Sequence, residues 1–323
     1  MRLRYLGRKV AQLFATLLGI VTFDFLLFRV LPGDPIRLYA RSGHLTREAA
    51  DRLRALFGLD KSLWRQYLIY LGDLVHGRLG FSLTYRRPVV SIVGERLVNT
   101  IVLLGAATVL IVVIGVAFGV MAAARRGSRF DTSTVVSSLV LWSLPTFWTG
   151  LLLVFLLGVW LQVFPISGIS TPGAVYASPF GAPLDVAKHL VLPTITLALV
   201  DIGQFVLITR STLVDVLTED FITTAKAKGV SRRGVVWKHG LRNALLPIVT
   251  ASALYISLVV GGAIQVETVF SWPGMGELTY ESVLRRDYPV LEACFLIFAL
   301  TVILANFASD LLYQVLDPRV REA

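Results

Sequence analysis

The chain is short of charge and nearly free of cysteine. Only 16% of its 323 residues are Asp, Glu, Lys or Arg, 55% are hydrophobic, and mean hydropathy is +0.71. A soluble domain of this size has nowhere to bury so much apolar surface, so the bilayer is the solvent against which the sequence has to be read. The one cysteine, Cys294, lies in an apolar run, which excludes an intrachain disulfide and leaves no basis for a Cys-based metal site. The four histidines, His44, His76, His189 and His239, are scattered, and no HExxH, GxGxxG or nucleophile-elbow pattern occurs. No catalytic residue and no metal ligand is therefore assigned. The nearest phosphate-loop spacing, Gly229 to Gly234, runs on into Val235 and Val236 where a nucleotide-cradling loop needs Lys and then Ser or Thr. Any ATP that drives work through this chain is hydrolysed on another subunit. The formal charge of +10 comes without a basic and aromatic surface module, which argues against nucleic acid as a partner. In a membrane chain such charge sets topology and meets anionic lipid headgroups.

What the chain has in quantity is long apolar runs. The first follows Arg2, Arg4, Arg8 and Lys9 and covers residues 10–31. That is enough to cross a hydrocarbon core of about 30 Å at about 1.5 Å per residue, and no small-x-small cleavage site precedes Pro32, so it is read as a retained span. Further runs extend from Ile101 to Ala123, Thr134 to about Leu157, His189 to Thr209, Ala244 to Val266 and Val290 to Ser309. A backbone exposed to lipid satisfies its polar groups only in a helix or a closed barrel, and barrel-type alternation is absent. The expected fold is an all-α membrane protein with six transmembrane helices. Between Thr132 and Leu184 there is no charge; one span followed by a loop is expected, because Pro165 to Pro183 is rich in Pro, Gly and Ser. The tails and short loops on one side carry sixteen Lys or Arg and those on the other carry three, which places both termini in the cytoplasm.

The organisation that follows is a cytoplasmic tail (1–9), a first span (10–31), an external segment (32–96), a five-helix core (97–313) containing a cytoplasmic loop (214–243), and a C-terminal tail (314–323). In the external segment Thr46 and Gly58 bound one expected helix and Ser62 and Gly77 a second. The second is amphipathic, with Leu63, Trp64, Tyr67, Leu68, Leu71, Leu74 and Val75 at helical spacing; it rests on the bilayer or on neighbouring spans, or it touches substrate. Deep charges are few. Asp24 and Asp201 either line a polar path or form a structural hydrogen bond to a neighbouring helix, and both readings stand. A proton-coupled secondary carrier calls for more such residues and for an internal repeat, which is not found. Gly115 and Gly119 form a GxxxG suited to close helix approach and subunit packing, and Pro145, Pro193 and Pro247 mark kinks or helix starts.

The largest cytoplasmic segment runs from Asp215 to Arg242. Glu219 and Asp220 open it, Lys226 and Lys228 follow, and Gly229 ends it, the charge order and stop signal of a short helix; Ser231 is placed to cap a further helix leading into the fifth span. A short helix held between two spans is a handle through which force can reach both.

The sequence TAKAKG (Thr224 to Gly229) followed by RRGVVWKHGLRNALLP (Arg232 to Pro247) resembles the coupling loop of binding-protein-dependent ABC permeases. Its long spacing to Leu246-Pro247, with Arg242-Asn243-Ala244, is similar to the dipeptide, oligopeptide and nickel subgroup. The resemblance continues in order through PGDP (Pro32 to Pro35), GLDKSLWRQYLIYL (Gly58 to Leu71), GRLGFS (Gly77 to Ser82), RRGSRFD (Arg125 to Asp131), ETVFSWPGMG (Glu267 to Gly276), RRDYPV (Arg285 to Val290) and LDPRVR (Leu316 to Arg321). It implies a fold like that of a type I ABC importer permease, and PGDP after the first span points to the first of two paired permeases. It further implies a non-catalytic subunit of a bacterial or archaeal inner membrane that works with a second permease, two ABC ATPases carrying ATP and Mg, and an extracytoplasmic substrate-binding protein. No cofactor on this chain is implied. Peptides are the implied cargo, with nickel or another small solute as the alternative. Thr224, Ala225, Lys226, Ala227, Lys228, Gly229 and Arg232 are the implied coupling residues; Asp24 and Asp201 match no family position and stay candidates for the path on their depth alone.

Overall fold

The computed structural model describes residues 3–30, 48 and 60–316. The expected helix between Thr46 and Gly58, the PGDP motif and the tail beyond residue 316 lie outside the described residues. In chain order the elements are α1 (Leu3–Val30), α2 (Leu63–Val75), a two-stranded antiparallel hairpin of β1 (Phe81–Ser82) and β2 (Arg87–Pro88), α3 (Val89–Ala124), α4 (Arg129–Ser143), α5 (Thr146–Leu153), α6 (Gly181–Val216), α7 (Asp220–Ala227), α8 (Leu241–Val269), α9 (Met275–Arg285) and α10 (Tyr288–Leu316). Wide π-helical turns follow α5 (Val154–Trp160) and precede α8 (Val235–Gly240).

Among the described residues four helical stretches are each long and apolar enough to cross a membrane: Gly7–Arg29, Val89–Ala124, Gly181–Val216 and Tyr288–Ser309. A fifth crossing results if α4 and α5 with its π-turn count as one span; the two are bent by 98°. One continuous span was expected here. The break has a local cause, since the ring of Pro145 holds Leu144 in extended backbone (φ −75°, ψ 133°), so α4 stops and α5 starts afresh. Two other helices outrun their expected spans. α3 begins at Val89 rather than near Ile101, and α6 begins at Gly181, which takes in Lys188 and puts Pro193 inside the helix rather than near its start.

The chain forms two compact units, one of Asn99–Glu277 with Leu304–Ala323 and the other of Arg2–Val98 with Leu278–Ile303. In the first, α6 is the centre. Its Gly203 meets the backbone of Ser138 in α4, so close that a Cβ there has no room before the Ser138 carbonyl. On another face Gly115 of α3 lies against Phe205, and Gly119 against Thr209 and the Val206 carbonyl, each a close approach that glycine alone permits. The GxxxG is thus used inside the chain. Leu103, Ile111, Leu192, Leu197, Phe205, Phe270 and Trp272 fill the core around these crossings. Replacing Gly203 with leucine is expected to prevent α4 from seating on α6, at a cost of about 3 kcal/mol for overpacking against backbone that cannot yield. Loss of the folded band in protease-protection and size-exclusion profiles checks this, and wild-type profiles would refute it.

In the second unit α1 and α2 meet through aromatic rings. Tyr67 and Tyr70 of α2 pack on Phe25 of α1 with centroids 5.2 and 5.6 Å apart, and the Tyr67 hydroxyl is 2.6 Å from the Thr22 hydroxyl. Trp64, Leu68, Ile69 and Val75 of α2 are exposed while Leu71 and Leu74 are half-buried, the two faces of an amphipathic helix. Ser62 stands at its start without a side-chain cap bond, and Gly77 follows its end at φ +70°. The hairpin is tied to residues about 200 positions later: Ser82 donates to Asp287, and Tyr85 donates to Glu281. Burial first, and then the bond to Glu281, pushes the Tyr85 phenol above its ordinary range, so it remains a donor.

Candidate functional site

The segment after α6 folds as its charges and glycine dictate. α7 has Asp220 in its first turn and Lys226 in its last, matching the helix dipole. It ends in a Schellman arrangement: Val230 N–H donates to the Ala225 carbonyl (3.2 Å), Gly229 N–H to the Lys226 carbonyl (3.0 Å), and Gly229 adopts φ +75°. The apolar contact that completes this motif is present, because Ala225 and Val230 share a small core with Ile222, Val235 and Leu217. Ile222 is fully buried, whereas Thr224, Lys226, Ala227, Lys228 and Gly229 are exposed. The helix is therefore anchored by one face and presents the other, which carries both lysines.

Beyond Gly229, the Ser231 hydroxyl accepts from Gly234 N–H, as expected of a cap. Arg232 does more than its position in the motif implies. Its guanidinium donates to the carbonyl of Ala124 (2.6 Å), the last residue of α3, an acceptor that a helix end leaves unpaired. Behind it Val236 and Ala244 pack with Leu213 of α6 and with Val120 and Ala123 of α3, and Gly240 lets Leu213 approach. α7 is thereby fixed to the ends of α3, α6 and α8 together.

Beside this assembly Asp131, in the first turn of α4, holds Arg210 of α6 in a bidentate pair, Nε to Oδ1 at 2.5 Å and Nη2 to Oδ2 at 2.7 Å. Gly127 N–H also donates to Asp131, and the Ser128 hydroxyl accepts from Asp131 N–H. The sequence put Asp131 in a motif and Arg210 near a span end; that they pair was not readable, because the two lie 79 residues apart.

The ETVFSWPGMG motif has a comparable logic. The buried Glu267 carboxylate accepts from the Thr100 hydroxyl (2.7 Å) and from the N–H groups of Gly276 (2.6 Å) and Glu277 (3.1 Å), a cap for α9. A Cβ on Gly274 would run into that carboxylate, and one on Gly276 into the Ile264 backbone first and the carboxylate second, which accounts for both glycines. Trp272 donates to the Asn99 carbonyl, and Asn99 donates to the Pro273 carbonyl. Asn99 and Thr100 belong to no motif and were missed; a polar Asn-Thr pair at the head of a long apolar run is the signal that was available.

The two deep carboxylates fall in different units, Asp24 on α1 and Asp201 on α6. Each meets a tyrosine of a neighbouring helix: Tyr70 donates to Asp24 at 3.4 Å and Tyr255 to Asp201 at 2.6 Å. Among the described residues no group of three or more His, Cys, Asp or Glu gathers as a metal site.

Several helices are long and apolar enough to cross a membrane, and α7 is a short helix whose free face carries lysines. Residues 115–322 match the family described as binding-protein-dependent transport system inner membrane component, and residues 2–104 match its N-terminal counterpart. The chain belongs to that family. Among similar curated proteins are the dipeptide transport system permease protein DppB of Escherichia coli K12, 37% identical with 99% of each chain covered, and the oligopeptide transport system permease protein AppB of Bacillus subtilis, 37% identical with 98% of each covered. The glutathione transport system permease protein GsiC of Escherichia coli O6:H1 is 38% identical, again over 99% of both.

Proposed function

We propose that this chain is a permease subunit of an ATP-driven, binding-protein-dependent importer of di- or oligopeptides. The observation that carries this is likeness along nearly the whole length to proteins named as peptide permeases, at 37% identity to two of them. The nickel and proton-coupled alternatives have no comparable support. A second permease completes the path, two ATPases bind ATP and Mg, and an external binding protein delivers the peptide.

In this reading α1, α3, the bent α4–α5 pair, α6, α8 and α10 are the six spans, with both termini and the segment 214–243 in the cytoplasm. α3 supports a crossing: its 36 residues measure roughly 54 Å at about 1.5 Å each, more than a hydrocarbon core of about 30 Å. Thr224 to Gly229 and Arg232 form the handle on which an ATPase acts. Its exposed face docks and its buried face moves α3, α6 and α8 together. Asp201, and Asp24 in the other unit, are kept as path candidates, with their tyrosines as gates on their availability.

Reporter fusions after Arg129 or Lys228 are expected to register cytoplasm, and fusions within residues 172–183 the external side; reversed signals would end the six-span reading. The function itself is tested by reconstituting the chain with its partner permease, ATPases and binding protein and measuring ATP-dependent uptake of labelled peptides. Uptake without the ATPases, or of metal ions in place of peptides, would replace it.

A further inference from the structure

Two exposed arginines stand in left-handed backbone, Arg86 (φ 52°) at the hairpin turn and Arg286 (φ 55°) between α9 and α10. Glycine adopts that conformation freely, and an L-residue with a long side chain rarely does. Strain of this kind persists only where surrounding contacts enforce it, and it collects at sites whose side chains have work to do. The contacts are present. Ser82 donates to Asp287 with both residues buried, Tyr85 donates to Glu281, and the Arg285 guanidinium lies 5.8 Å from the centre of the Tyr85 ring. Each strained arginine adjoins a residue of this lacing, so the two turns are held as one rigid surface.

The charges on that surface are unequal in their partners. Arg87 pairs with Glu95, and Arg285 comes within 4.0 Å of Glu281. Arg86 and Arg286 have no carboxylate partner among the described residues. Along α9, Tyr280, Val283 and Leu284 form an exposed stripe at helical spacing. Arginine, tyrosine and aliphatic side chains on a rigid support are the composition of a protein-binding patch. On the topology proposed above, residues 32–96 are external, so the hairpin and the turn bonded to it face the outside.

We propose that Arg86 and Arg286, with Tyr280, Val283 and Leu284, form a docking platform for an acidic surface of the external binding protein. The proposal rests on the importer reading, and the family's own description names dependence on such a protein. Anionic lipid headgroups offer the same charge. Lipids adapt to whatever shape they meet, however, and do not require two arginines to be fixed in strained backbone; a folded partner with charges at set positions does.

The test uses the complete complex in liposomes of zwitterionic lipid, with and without added anionic lipid, and follows ATPase activity against binding-protein concentration. The double variant R86G/R286G removes both cations while relaxing the backbone, so folding is preserved or improved. Activity without binding protein is expected to stay at the wild-type level. The binding-protein concentration for half-maximal stimulation should rise about tenfold, and its dependence on salt should flatten, as the loss of steering charges requires. R86K/R286K should retain most of the wild-type response. An unchanged concentration dependence in the glycine variant would overturn the proposal, as would a defect that follows anionic lipid content instead of binding protein. If the wild-type complex is not stimulated by any binding protein, the importer reading falls and the platform with it.

Discussion

Valine in place of Gly229 is expected to abolish peptide uptake while the chain still reaches the membrane and pairs with its partner permease. The effect comes from backbone alone, because no atom lies within 4 Å of where a Cβ would stand. At φ +75° a β-branched residue costs roughly 1–2 kcal/mol, and α7 escapes that cost by leaving the left-handed turn. The bonds from Gly229 and Val230 to the Lys226 and Ala225 carbonyls then break, and Val230 leaves the small core under α7. Ser231 and Arg232 follow next in sequence, so the tie from Arg232 to Ala124 is misdirected too. The proposed handle would still be present but no longer fixed to α3. Uptake and ATP hydrolysis, measured in parallel in the reconstituted complex, separate weak docking (both fall) from lost transmission (hydrolysis persists without uptake). Asparagine, which tolerates the left-handed region, should keep much of the activity at this position. Wild-type uptake by Gly229→Val would move the handle elsewhere.

Features that depend on near neighbours in sequence were open to reading in advance. α7, its Schellman stop at Gly229 and the cap at Ser231 all follow from residues within a few positions of one another, and the structure has each of them. Long apolar runs likewise announced the helices, because hydropathy is summed locally. What escaped depends on pairs brought together by packing. Pro145 was legible as a kink or a start and the break falls there, but the size of the bend, 98°, does not follow from the proline alone. Gly115 and Gly119 were legible as a close-approach face, and only the position of Phe205 and Thr209 on α6 reveals that the face is used within the chain. Asp24 and Asp201 were found by depth, and their tyrosine partners 46 and 54 residues away were not. Several motifs with no local rationale, among them ETVFSWPGMG, GRLGFS and RRDYPV, turn out to be halves of such long-range bonds.

The same distinction bears on the Asp131–Arg210 pair, whose loss should be strongly destabilising for the first unit. Asp131 is almost fully buried and its partner about one quarter exposed. Replacing Asp131 with alanine removes both acceptors from Arg210, leaves the Gly127 N–H unpaired and takes a carboxylate from the start of α4. Breaking a buried pair from one side costs about 3–5 kcal/mol, and the partial exposure of Arg210 places this case near 3. Arg210→Ala should cost less, because Asp131 keeps its bond from Gly127 and its place at a helix N-terminus. Arg210→Lys should fall between, since an ammonium cannot reproduce the two-point contact. Exchanging the residues, Asp131→Arg with Arg210→Asp, restores the charge pair on paper and is expected not to restore stability. A guanidinium at position 131 meets the Gly127 donor and the positive end of the helix, where only an acceptor fits. Thermal unfolding of the detergent-purified complex measures all four variants. Equal losses for Asp131→Ala and Arg210→Ala, or recovery in the exchanged pair, would mean that simple charge attraction holds α4 to α6 and that the orientation of the helix terminus contributes nothing.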